Sequence, residues 1–231
     1  FSDWWDKFIA LDGPFLKTSK SLVLRPGTFA RNYVQGKRKS YVKPIQFFLV
    51  CLALHSLSMY YFVDIKELMQ GQSLSGTGYN DAQLEVFAKM QAASTEWGKS
   101  LQFATLPFMA LFAWLLFKRR SSMNFLENMV LFMYTAGFLL VINIIMTQLM
   151  KVMSPAVASV FSSLTFFGVL MYHGWAASKF HGQKGAGNFI RGMVAVTIGM
   201  FLFSAIVGIT AITFYWDEFK DLLIYEIPKA K

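Results

Sequence analysis

The chain has 231 residues, 55% of them hydrophobic and only 15% charged, with a mean hydropathy of +0.43 and a formal net charge of +9. Soluble domains carry about a quarter charged residues. This balance, with charges bunched between long uncharged runs, excludes an ordinary soluble domain and points to a membrane.

The chain opens on Phe1 rather than Met, so further residues are expected before it. With three acidic residues in the first dozen and no long apolar core, this opening does not resemble a signal peptide. Phe1, Trp4, Trp5, Phe8 and Ile9 share one helical face, as in an amphipathic interfacial helix. Asp12-Gly13-Pro14 breaks it. A second short helix is predicted over Pro14–Leu24. Pro26 suits the first turn of a third, which Gly36 would end, and Pro44 would start the first span in the same way. These three helices are expected to lie on the inner leaflet.

Five apolar runs are predicted to span: Ile45–Val63, Leu101–Phe117, Phe125–Met150, Pro155–Trp175 and Met193–Trp216. The second is short and contains Pro107; its alternative is a buried or re-entrant helix. The third opens on the polar pair Glu127–Asn128. The loop 64–100 is Gly/Ser-rich from Gly71 to Gly78, then reads as a helix from Asp81 to about Trp97; Asp217–Tyr225 is a similar surface stretch. The fold class is an all-α membrane protein with about five transmembrane helices plus N-terminal interfacial amphipathic helices. Its parts are 1–44, interfacial; 45–216, the five-helix domain; and 217–231, an outer tail.

Charge orients this chain. With the N-terminus inside, segments 1–44, 118–124 and 176–192 hold fifteen Lys/Arg against seven on the other side. That is the positive-inside pattern, N-terminus cytoplasmic and C-terminus outside.

Residues 25–44 carry Pro26, Gly27, Arg31, Tyr33, Gly36, Lys37, Arg38, Tyr41 and Pro44. This spacing resembles a family of bacterial multi-pass membrane proteins of unknown function, and Phe125-Leu126-Glu127-Asn128 is a looser match. The resemblance implies a bacterial inner membrane, with the C-terminus in the periplasm, and supplies no reaction. Many relatives carry a zinc-ribbon-like N-terminal segment built on paired cysteines, which this sequence does not show.

The basic-aromatic motif is the strongest candidate site. Arg31, Tyr33, Lys37, Arg38, Tyr41 and Lys43, with Arg191 from the other inner loop, are expected to bind an anionic lipid headgroup or phosphate. The plainer alternative is a topology signal with tyrosine anchors. Glu127 and His173 form a polar layer beside it, with His181 nearby. Glu127 serves there as a binding group or in an ion pair with Arg191 or Arg120; His173 serves as a hydrogen-bonding interface residue. His55, Ser56, Ser58, Asn143, Gln148, Ser159, Ser162, Ser163 and Thr165 fall within spans. They read as interhelical hydrogen bonds or as a solute path. Small residues four apart, Ser159/Ser163 and Ser204/Gly208, suit close helix packing. Gly182 to Gly187 lacks P-loop spacing and reads as a mobile loop. The single cysteine, Cys51, and three histidines make neither an intrachain disulfide nor a zinc pattern. No catalytic residue, metal or cofactor is expected. The expected partners are phospholipids with anionic headgroups at the inner leaflet, or a membrane complex that the chain joins as an accessory subunit; nucleic acid is not. A small transporter or flippase for a lipid or lipid-linked phosphate, and a membrane-bound transferase, are the competing functions.

Overall fold

A computed structural model describes residues 12–62 and 103–214, and every described element is helical. The expected helices at Phe1–Ile9 and Asp81–Trp97 and the Asp217–Tyr225 stretch lie outside the described residues. In chain order the helices are α1 (Asp12–Leu24), α2 (Pro26–Val34), α3 (Pro44–Phe62), α4 (Phe103–Phe117), α5 (Phe125–Lys151), α6 (Pro155–Phe180) and α7 (Ala186–Phe214). Four stretches are long and apolar enough to cross a membrane: Pro44–Tyr61, Phe125–Lys151, Ala156–Phe180 and Ala186–Thr210. The protein is therefore a multi-pass membrane protein. The second expected span is the shorter apolar helix α4. Its described length is about 22 Å, short of a hydrocarbon core of about 30 Å, and the residues before it lie outside the described set.

Local chemistry sets the helix ends. Pro26 and Pro155 occupy first-turn positions, where a missing N–H costs nothing. α5 begins with a capping box: Asn124 Oδ1 accepts from Glu127 N at 2.9 Å and Glu127 Oε2 from Asn124 N at 2.7 Å. α2 and α6 both end on a glycine in the left-handed region, Gly36 at φ +109° and Gly182 at φ +68°. In each, the next two backbone N–H groups turn back onto the last turn: Gly36 to Tyr33 O and Lys37 to Asn32 O; Gly182 to Lys179 O and Gln183 to Ser178 O. α6 therefore runs past the expected Trp175 to Phe180, and α7 starts at Ala186 rather than Met193. The glycine-rich segment is a helix terminator and a short non-helical connection, residues 181–185.

Packing is closest where glycines remove side chains. A Cβ on Gly27 would strike the Ala176 carbonyl of α6, and one on Gly199 would stand 2.9 Å from Met109 of α4. Gly174 and Gly192 bring α6 and α7 together in the same way; a Cβ on Gly192 would lie 2.7 Å from Gly174 O. The expected close-packing positions do not do this. Ser159, Ser163, Ser204 and Gly208 are exposed among the described residues, and Ser159 and Ser163 bond within their own helix. A Cβ on Gly208 would meet nothing within 4 Å, so no neighbouring backbone is admitted there.

α1 and α2 are built into the bundle. Pro26, Gly27, Phe29, Ala30 and Tyr33 of α2 are buried, against α5 and α6. Val42, just before α3, is held from both sides: its N–H donates to Thr18 Oγ1 of α1 at 3.3 Å, and its carbonyl accepts from Tyr134 Oη of α5. Tyr172 of α6 donates to Leu22 O at 3.1 Å. Because Val42 meets Tyr134 and Phe48 meets Gly137, α3 starts beside the third turn of α5. α2 fills the space below it.

Candidate functional site at the basic end of the bundle

The turn 118–124, the α6–α7 connection and the α1–α2 pair gather at one end of the bundle. Gln183 Nε2 donates to Arg120 O at 2.8 Å, His181 pairs with Asn128, and Arg31 rests on Gly182. The three segments expected on one membrane face are thus neighbours in space.

The predicted binding residues divide into two groups. In the first, Phe29 and Tyr33 pack on Tyr134, and Tyr41 packs on Phe29: Phe29 meets Tyr134 at 4.9 Å and Tyr41 at 4.8 Å between ring centroids, and Tyr33 meets Tyr134 at 5.4 Å, all edge-on. Tyr33 is buried, so its ring is core and not a free anchor. Cations cover the outer faces, Arg38 over Tyr33 at 5.7 Å and Lys17 over Tyr41 at 5.2 Å. Arg38 also donates from Nε to Tyr33 O at 3.2 Å and from Nη2 to Val34 O at 3.4 Å, closing the C-terminus of α2. Lys37, Lys39 and Lys43 are exposed around this patch.

The second group surrounds the end of α6. Arg31 lies on the opposite face of α2 from Tyr33, as two residues of helix require, and reaches the α6 terminus instead of solvent. Its Nη1 lies 2.0 Å from where a Cβ on residue 182 would be, so Arg31 would have to move aside for any side chain there, while φ itself favours glycine. His181 is buried, stacked on Phe117 with centroids 4.2 Å apart, and its Nε2 meets Asn128 Oδ1 at 3.0 Å. Asn128 Nδ2 donates to Asn124 O at 2.8 Å. That fixes the amide, so Nε2 of His181 carries the proton and Nδ1 is bare. Nδ1 has no hydrogen-bond partner among the described residues. Burial first, and then the Arg31 guanidinium, push the imidazole down to about 3, so the ring is neutral. Arg191 lies over Phe117 at 5.9 Å.

The polar layer is rearranged. The Glu127 carboxylate is engaged by the start of its own helix in the capping box, and the expected ion pair with Arg191 or Arg120 is not formed among the described residues. Both arginines turn to Asn188 instead. His173 is buried against Phe132, 5.7 Å between centroids, and its Nδ1 has no hydrogen-bond partner among the described residues. Its ring is packed among aromatic rings, with Tyr172 6.0 Å away between centroids. His55 Nε2 and Asn143 Oδ1 satisfy each other at 2.9 Å.

Sequence reading missed Asn124, Asn188 and Thr18, and took Asn128 only as a polar residue at the start of a span. The Asn-x-x-Glu spacing of Asn124 and Glu127 is the one signal that could have found any of them.

The segment that holds the first group and Arg31 is also the one that comparison singles out. Residues 12–55 match the family described as "Protein of unknown function (DUF3667)". No curated protein and no solved structure matches the chain. The matched segment covers α1, α2 and the start of α3 as far as His55. Arg120, Asn188 and Arg191 lie outside it.

Proposed function

We propose that this is a non-enzymatic protein of a bacterial inner membrane whose cytoplasmic end holds anionic lipid headgroups. One observation carries the reading. Residues 13–44 contain eight Lys/Arg and no Asp/Glu; Lys17, Lys20 and Arg31 lie on α1 and α2, which pack into the bundle, and Lys37, Arg38, Lys39 and Lys43 lie in the short connection to α3, which Val42 ties to α1 and α5. Arg38 and Lys17 sit on tyrosine faces, and Lys37, Lys39 and Lys43 face outward beside them. A purely topological signal needs charge but no such fixed arrangement. Each basic residue near an anionic surface contributes about 1 kcal/mol. The transport reading draws less support, because His55 and Asn143 pair with each other across α3 and α5.

The test is native mass spectrometry of the detergent-purified chain with phosphatidylglycerol and phosphatidylcholine at matched salt. Wild type should retain the anionic lipid preferentially. The Lys37→Gln/Lys39→Gln/Lys43→Gln variant should lose roughly fivefold per lysine, with unchanged thermal stability. Equal retention of phosphatidylglycerol by both proteins would sink the proposal and leave a topology signal.

A further inference from the structure

Two arginines from distant parts of the chain meet on one neutral atom. Arg120, in the turn after α4, and Arg191, in the second turn of α7, each donate from Nη1 to Asn188 Oδ1, at 3.3 and 2.6 Å. The amide is locked in that orientation, because Asn188 Nδ2 donates to Lys184 O at 2.8 Å. Both arginines are also positioned from behind. Arg191 rests on Phe117, and Gln183 ties down the Arg120 backbone.

Guanidinium groups sharing one uncharged acceptor repel each other, and among the described residues no carboxylate is paired with either. Residues 118–124 and 181–191 hold five Lys/Arg and no Asp/Glu. Glu127 is engaged in its cap. Among the described residues, each guanidinium gives one N–H to Asn188; a guanidinium has five such donors in a planar fork. Two forks converging at fixed spacing suit a tetrahedral oxyanion, which accepts paired hydrogen bonds from each.

We infer that Arg120, Asn188 and Arg191 form a binding site for a phosphate monoester, carried on a lipid headgroup or supplied as free phosphate. A monoester carries close to two negative charges at neutral pH and cancels both arginines, whereas a diester cancels one. The site does not rest on the headgroup reading above. It lies outside the matched segment and uses none of Lys37, Lys39 and Lys43, so either proposal stands if the other fails.

The full detergent-purified chain is titrated with phosphatidic acid and with phosphatidylglycerol, each with and without inorganic phosphate, and bound lipid is read by native mass spectrometry. Wild type should hold phosphatidic acid about tenfold more tightly than phosphatidylglycerol. Asn188→Asp places a carboxylate of nearly the same shape between the arginines. It should abolish that preference; it supplies a counter-charge near a helix N-terminus but loses the Nδ2 donor to Lys184 O, so Tm should change little. The double variant Arg120→Lys/Arg191→Lys keeps the charge but loses the forks, and should weaken phosphatidic acid about tenfold. Competition by inorganic phosphate identifies soluble phosphate as a ligand; phosphatidic acid binding without competition identifies the lipid. Either result supports the site. Equal retention of phosphatidic acid by wild type and folded Asn188→Asp overturns the site. Equal retention of the two lipids by wild type overturns the monoester assignment. Should Asn188→Asp fail to fold, Arg120→Gln/Arg191→Gln makes the same comparison.

Discussion

His181 is a neutral imidazole kept neutral by its surroundings. Protonating Nδ1 would bury a charge beside Arg31 with no acceptor among the described residues. Its folded pKa of about 3 is below the usual 6.5. As pH falls past 6.5 an unfolded chain gains this proton and the folded one does not. The contribution to stability is therefore complete above about pH 6.5 and drains away toward pH 3. The Tm of the solubilised protein should fall between about pH 7 and pH 4.5. In His181→Gln, which can still donate to Asn128, the fall should be shallower although the neutral-pH Tm is lower for loss of the Phe117 stack. Parallel Tm profiles for the two proteins would show that His181 does not carry the acid sensitivity. At this scale the sequence was partly legible. Arg31, Arg38 and Tyr33 stood out because charged and aromatic types in a punctuated motif are conspicuous. Asn128 and Asn188 did not, because an amide acquires its role from partners 53 and 68 residues away. Gly27 drew notice only as part of the motif's spacing; it lies inside α2 and is small because the backbone of α6 passes over it.

Among the elements, α5 shows how a helix start fixes a neighbouring contact. Asn124 caps the helix, its carbonyl accepts from Asn128, and Asn128 then orients His181. Asn124→Ala should cost about 1 kcal/mol for the lost cap. Glu127→Gln should cost only a few tenths, since glutamine completes a capping box almost as well. Thermal denaturation of the two variants in one detergent decides this. A larger loss for Glu127→Gln than for Asn124→Ala would mean that the carboxylate has a charged partner after all. The helices themselves were legible where proline or glycine marks an end: α1, α2 and the starts of α3 and α6 fall at or within two residues of the expected positions. α6 and α7 were read short at their facing ends, because Gly, Lys, His and Gln look like loop when they are a glycine cap followed directly by a new helix.

For the molecule as a whole, the close approach of segments 12–44, 118–124 and 181–191 gives the charge asymmetry a structural basis. A chain with α4 spanning has five crossings and opposed termini; a chain in which it does not has four and termini on one side. Reporter fusions after residues 70 and 231 should both report the outer face. A cytoplasmic signal at 231 with an outer signal at 70 would remove α4 from the count. Cys51 is buried, so cysteines introduced at those positions should take up a thiol reagent without a competing background.

The seating of α1 and α2 also dictates an order of events during synthesis. Leu22 must wait for Tyr172, made 150 residues later, and at roughly 5–20 residues per second that is about 8 to 30 seconds. Until then Phe29 and Tyr33 have no α5 or α6 to cover them. Their nearest alternative shelter is the membrane surface, which the basic residues around them would favour. The nascent N-terminal segment would therefore be a temporary guest of the bilayer before it becomes part of the protein interior, and it would be open to a protease in a stalled chain but shielded in a finished one.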